Sequence, residues 1–132
     1  GAVKSINVRD EQAPEKLVLL RLGVNTLNDA RLAKSCEESF ARMGVYAFSV
    51  FGLPPGGYEE LARLVPVFVH RPKFLEAIAE EVVAAGFALL PTNAEPHWSV
   101  ILPEPSPAHF DRVRSLFRGP IKNPVWIGPG AT

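Results

Sequence analysis

His97 and Ser99 are the residues whose types and spacing best suit chemistry. They stand in the run His97-Trp98-Ser99-Val100. Alternation along a strand turns both side chains to one face, about 6.5–7 Å apart at the backbone, close enough to bracket one phosphate. An imidazole there exchanges a proton near neutral pH, and a hydroxyl donates to a phosphate oxygen. General acid–base cleavage needs a second proton carrier, and His70 and His109 are the other two histidines of the chain. Arg71, beside His70, supplies a guanidinium that can hold phosphate with Ser99. The candidate catalytic set is therefore His97, Ser99 and His70. The commoner role for such a histidine is a strand-edge side chain bonded to backbone.

The pattern is similar to the His-x-Ser/Thr motif of the two-histidine phosphoesterases, which carry it twice. Here His70 is followed by Arg71-Pro72 and His109 by Phe110-Asp111, so neither makes a second copy. The stretch from Phe74 to Phe117 also resembles the helix, strand, strand, helix order of small HicA-type RNA-cleaving toxins. That resemblance implies a single strand histidine as the chemical group, and His97 would fill the place. Asn93 to Pro96 stands where that family has a glycine-rich approach.

A second set of residues suits binding. Arg112, Arg114 and Arg118 belong to the last helical stretch, with Arg114 and Arg118 four apart on one side. Such a stripe contacts RNA phosphates or is simply a solvated face. Trp126, in a tail without periodicity, packs back on the body or meets a partner. Gly56-Gly57 before a helix lacks the Lys and Ser/Thr of a phosphate loop, and Glu59 and Glu60 would face the phosphate.

The totals narrow the choice. The chain has 132 residues, the size of one domain, and is 47% hydrophobic, enough for a real core. Its formal net charge is zero, which argues against a strongly basic nucleic-acid binder. Cys36 is the single cysteine, so no internal disulfide forms, and one Cys with three scattered His gives no metal-ligand spacing. No apolar run approaches membrane-spanning length. The reading is of a cytoplasmic protein without metal or cofactor, and with no membrane partner.

These residues need elements to position them. Leu17 to Val24 is apolar on both faces except at Arg21, as a central strand would be. Thr26 with Asp29 resembles a capping box for a helix running to about Met43, with Ala33, Cys36, Phe40 and Met43 as its stripe and Gly44 as its stop. Val45 to Phe51 is a second strand, which suggests a right-handed crossover between parallel neighbours. Gly52 to Gly57 is a sharp break, and Tyr58 to Val65 a short helix. Pro72 opens a longer helix on which Phe74, Ile78 and Val82 recur four apart, with Gly86 as its stop. Residues 87–90 and 97–102 form a hairpin across turn residues 92–96. Ser106-Pro107 caps the last helix.

The fold class is thus α/β or α+β: strand, helix, strand, a further helix, then a helix–hairpin–helix unit in a compact single domain. Residues 1–15 read as a loose arm, 16–120 as the globular domain with a subdomain break at 52–57, and 121–132 as an irregular tail. The first functional reading is a small binding module that engages a protein partner or RNA through the 87–118 hairpin and last helix. The alternative is a compact RNA-cleaving or phosphoester-cleaving enzyme of the toxin kind that uses His97. A third arrangement takes 58–102 as a winged helix, with 73–85 as its recognition helix.

Overall fold

The computed structural model describes residues 7–129. Residues 1–6 of the expected arm and 130–132 of the tail lie outside that range. Along the chain the elements are β1 (Val18–Leu22), α1 (Asp29–Met43), β2 (Tyr46–Gly52), α2 (Gly57–Leu64), a 3-10 turn (Pro66–His70), β3 (Lys73–Ile78), α3 (Ala79–Ala84), β4 (Ala88–Leu90), β5 (His97–Leu102), α4 (Pro107–Leu116) and β6 (Arg118–Lys122). The fold is mixed α+β, with the described strands in one antiparallel sheet ordered β4-β5-β2-β1-β3-β6. The sheet runs through both halves of the chain. No helix among the described residues is long and apolar enough to cross a membrane.

β1 and β2 are antiparallel neighbours, not the parallel pair that strand, helix, strand suggested. They pair at Leu19–Gly52 and Leu20–Phe51 and then diverge: Arg21 and Leu22 of β1 keep partners in β3 but have none in β2. α1 takes the vacated place beside β2. Its hydroxyls stand in for the missing strand: Ser39 Oγ donates to Val45 O at 2.8 Å and Ser35 Oγ to Ala47 O at 3.2 Å. Arg21 Nη1 donates to Ser49 O at 2.7 Å. Three alternate carbonyls on one edge of β2 are thereby satisfied by side chains, as buried backbone groups require. The helix continues in the direction of β1, and Gly44, at φ 76°, turns the chain back into β2. Its N-cap is Asn28, whose side chain accepts from Arg31 N at 2.8 Å, in place of the expected Thr26. The buried side of α1 is Leu32, Cys36 and Ser39, and Phe40 is outside, stacked on Tyr46.

The long helix expected from Pro72 is instead β3 followed by the short α3. A spacing of four is also twice a spacing of two, so Phe74 and Ile78 share one face of a strand as readily as one face of a helix. Tertiary context decides. β1 is apolar on both sides and needs a strand on each edge, and β3 fills the second edge from Val18–Ile78 to Leu22–Phe74. A winged helix over 58–102 requires a recognition helix at 73–85, which this strand replaces. The tail begins with β6 on the outer edge of β3, where irregular chain was expected.

Two cores flank the sheet. On one face Leu19, Phe48, Val50, Ala77, Trp98, Val100 and Leu102 pack with Leu32 and Cys36 of α1, Val82 of α3, and Phe110 and Val113 of α4. On the other, Leu20 and Phe74 meet Leu61 of α2 and Phe68 of the 3-10 turn. The second core underlies β1 and β3. Ser49 of β2 and Ser99 of β5, direct cross-strand partners on that same face, lie outside it.

Candidate functional site

A small polar cleft opens over β2 and β5. Its walls include Ser49, Ser99, His97, Thr92 and, from α1, Ser35 and Arg42, around a volume of about 50 Å³. Strand alternation delivers His97 and Ser99 to this face together. Between them lies Thr92, which the sequence reading missed. Its fully buried hydroxyl is 2.9 Å from His97 Nδ1 and 2.7 Å from Ser99 Oγ. The gap expected to receive a phosphate is therefore bridged by a threonine. The only advance signal was its place in the 92–96 turn, where polar side chains fold back on the backbone.

His97 Nδ1 is also 3.1 Å from the carbonyl oxygen of Thr92. A carbonyl only accepts, so Nδ1 carries the hydrogen. The neutral ring then leaves Nε2 as the nitrogen without a hydrogen bond among the described residues. Burial holds the His97 pKa below the usual imidazole value; the hydrogen bond to the Thr92 backbone opposes this, and the charges of Arg9 and Arg42 add to it. Arg9 closes the network. Its Nη1 donates to Thr92 O at 2.9 Å, Asn93 O at 3.1 Å and His97 O at 2.9 Å, while its guanidinium lies 5.5 Å from the Trp98 ring centroid. The described part of the expected loose arm is thus pinned, with a bridge from Val8 to Thr92 and a bond from Arg9 N to Pro91 O.

The other candidates are elsewhere. The register runs His97–Phe51–Leu20–Glu76 across the sheet, three strand spacings or about 14 Å. His70 and Arg71 precede β3, farther still. His70 Nδ1 is 3.1 Å from Gly128 O in the tail, and Arg71 is exposed. His109 belongs to α4 on the opposite face, 2.8 Å from Ser106 Oγ. The structure brings His97 and Ser99 together and separates both from His70 and Arg71. No group of three metal-ligating side chains occurs among the described residues.

Arg112 and Arg114 lie on α4, but Arg118 opens β6, so the three are not the single helical stripe expected. Arg114 Nη1 donates to Asp29 Oδ1 at 2.7 Å and to Leu27 O, and Nη2 pairs with Asp111. Arg118 is 3.8 Å from Glu81. Arg112 has no ion pair among the described residues. At the glycine pair before α2, Glu60 places its own carboxylate 2.6 Å from Gly56 N.

A larger set of exposed groups collects where the tail docks. Asn123 is buried and donates through Nδ2 to Phe68 O at 2.8 Å and Arg71 O at 2.9 Å; its Oδ1 accepts from Val125 N, and its backbone N–H bonds Pro72 O. Ile127 N reaches Val69 O at 2.9 Å. This fixes Trp126 and Ile127 on the 3-10 turn while leaving them 45% and 73% exposed, and Leu64 and Val67 at this end are exposed too. Arg71, Lys73 and Lys122 flank the tail, all exposed and without an ion pair among the described residues. Lys73 and Lys122 are direct cross-strand partners, an arrangement that repels.

No protein-family model, curated protein or solved structure matches this chain.

The His97 network yields an expected pH dependence. Well above about pH 6.5 the imidazole is neutral in both folded and unfolded chains, and its contribution to stability is full. As pH falls, the unfolded chain takes the proton first, so this contribution is lost down through the depressed folded value. Urea midpoints of wild type and His97→Gln, taken at about pH 7.5 and about pH 5, should lie closer together at the lower pH. An unchanged gap would mean that His97 titrates alike in both states.

Proposed function

We propose that the chain is a binding module whose partner is a protein segment with large apolar residues and acidic flanks, held at the docked tail. The observation that carries this is the pinned Trp126–Ile127 turn, exposed and rimmed by three cations that have no ion pair among the described residues. Large apolar side chains left in water at a fixed geometry mark interaction sites, and tryptophan is prominent among binding anchors. Rigidity lowers the ordering cost of association. The cations select carboxylates, and a carboxylate between Lys73 and Lys122 would relieve their repulsion.

The hairpin and last helix offer less. β5 is interior to the sheet, β4 presents a three-residue edge, and two of the three α4-region arginines are already paired. RNA has less support than protein because Leu64, Val67 and Ile127 supply aliphatic surface, which neither stacks bases nor pairs phosphates. Phosphodiester cleavage by His97 has less support again, since Thr92 fills the gap beside it and both other histidines are distant.

A peptide-display selection on wild type tests the proposal. Enriched sequences should combine aromatic or branched aliphatic residues with Asp or Glu. They should bind Trp126→Ser at least about tenfold more weakly, a loss of about 1.4 kcal/mol, and weaken with salt. A random RNA pool should show no saturable retention at physiological salt. Tight RNA binding, or peptides indifferent to Trp126, would overturn it.

A further inference from the structure

We infer that a second, separate site takes a small uncharged molecule, mainly apolar, with one carbonyl-type acceptor. It is a cavity of about 460 Å³ at the end of the sheet where β1 begins and β2 ends. Three segments wall it: Pro14 to Val18 leading into β1, Gly52 to Pro55 after β2, and Glu95-Pro96 with Trp98. The volume is within the range of about 300–1,000 Å³ typical of small-molecule sites. Proline rings, Leu17 and Leu53 make the lining apolar and stiff, so the space does not collapse when empty.

The polar content of this cavity is what assigns its ligand. Trp98 is 3% exposed, and its Nε1–H makes no hydrogen bond within the described residues. Nor is that atom sealed off, for among the described residues the one fully enclosed side-chain polar atom without a partner is Arg9 Nε. Nε1 lies against Gly52, on the cavity wall: a Cβ added to Gly52 would come within 2.9 Å of it. The glycine lets the indole edge reach that wall. An indole nitrogen donates only, and a molecule that fills the cavity takes away the water that can reach it, so the group that completes this site is an acceptor. The charged wall residues do not favour an ion. Glu11 is paired with Arg9, while Lys16 and Glu95 are of opposite sign. A single oriented donor in an apolar cavity therefore selects a neutral carbonyl compound over the hydrocarbon of the same shape.

Acetophenone and ethylbenzene, nearly isosteric and differing in the acceptor, are the probes. The chain has two tryptophans, so its 15N–1H spectrum contains two indole N–H signals. Acetophenone should move the Trp98 indole signal saturably and leave that of Trp126 in place. Ethylbenzene should bind about tenfold more weakly or worse, the loss expected when a donor stripped of its water stays unpaired, and should cause no hydrogen-bond shift of the Trp98 N–H. Trp98→Phe, if folded, should bind both probes alike. A Trp98 indole signal indifferent to both probes in wild type, or equal affinity for the two, would overturn the inference without touching the tail site.

Discussion

Phe74→Ala is expected to destabilise the chain by about 3–5 kcal/mol, the range for deleting a phenylalanine from a packed core. Phe74 is wholly inaccessible and joins β3 to the second core, with ring centroids 5.5 Å from Tyr58 and 5.8 Å from Phe68. It is also paired across the sheet with Leu22 on one side and Ile121 on the other. Truncation opens a cavity at the meeting point of β1, β3, α2 and the 3-10 turn, which strands and prolines prevent from closing. Val83→Ala should fall within about 0.5 kcal/mol of neutral, since a surface side chain loses little; Val83 is 53% exposed. The pair of variants separates the strand from the helix that the sequence suggests, because a helix stripe would bury Leu75, Ala79 and Val83 beside Phe74. Equal losses at Phe74 and Val83 in urea titration would contradict β3.

Asn123→Ala is expected to lower stability by about 2–4 kcal/mol and to weaken peptide binding at the tail by at least about tenfold. The side chain satisfies two carbonyls, Phe68 O and Arg71 O, and one amide, Val125 N. Alanine leaves all three without that partner. The carbonyls can recover water only if the tail lifts, and lifting removes the bond from Ile127 N to Val69 O that fixes the exposed turn. Stability and binding are thus linked through one residue that touches no partner. A variant that keeps full affinity while losing stability would show that the patch needs no preorganisation.

The second half of the hairpin unit was legible because its signals agreed. Proline and glycine bound β4 and β5, and alternation put His97 and Ser99 on one face with Trp98 on the other. α4 was legible from Ser106-Pro107, with Ser106 capping His109 N. β3 was not, because period two and period four coincide at Phe74 and Ile78, and only the need of β1 for a second neighbour distinguishes them. The direction of β2 was hidden for a different reason. It depends on Ser35, Ser39 and Arg21 reaching backbone carbonyls, and a serine on a helix stripe carries no sequence mark of such a role.

The site was legible in part. His97 and Ser99 were placed together correctly by periodicity, but Thr92 between them and Arg9 above them come from turns and an arm without period. His70 and Arg71 were grouped with His97 by chemical type alone, and the sheet register separates them. Trp126 was legible as an aromatic without a periodic home. That it is held, rather than loose, rests on the buried Asn123, a residue that local sequence reads as a turn former.

The most direct test is a titration of the 15N-labelled chain with a selected acidic, apolar peptide. Saturable shifts are expected at the Trp126 indole and at the amides of Val67 and Ile127, with the Trp98 indole and the His97 amide unmoved. Shifts centred on His97 and Ser99, or a Trp126 signal that responds to RNA and not to peptide, would contradict it.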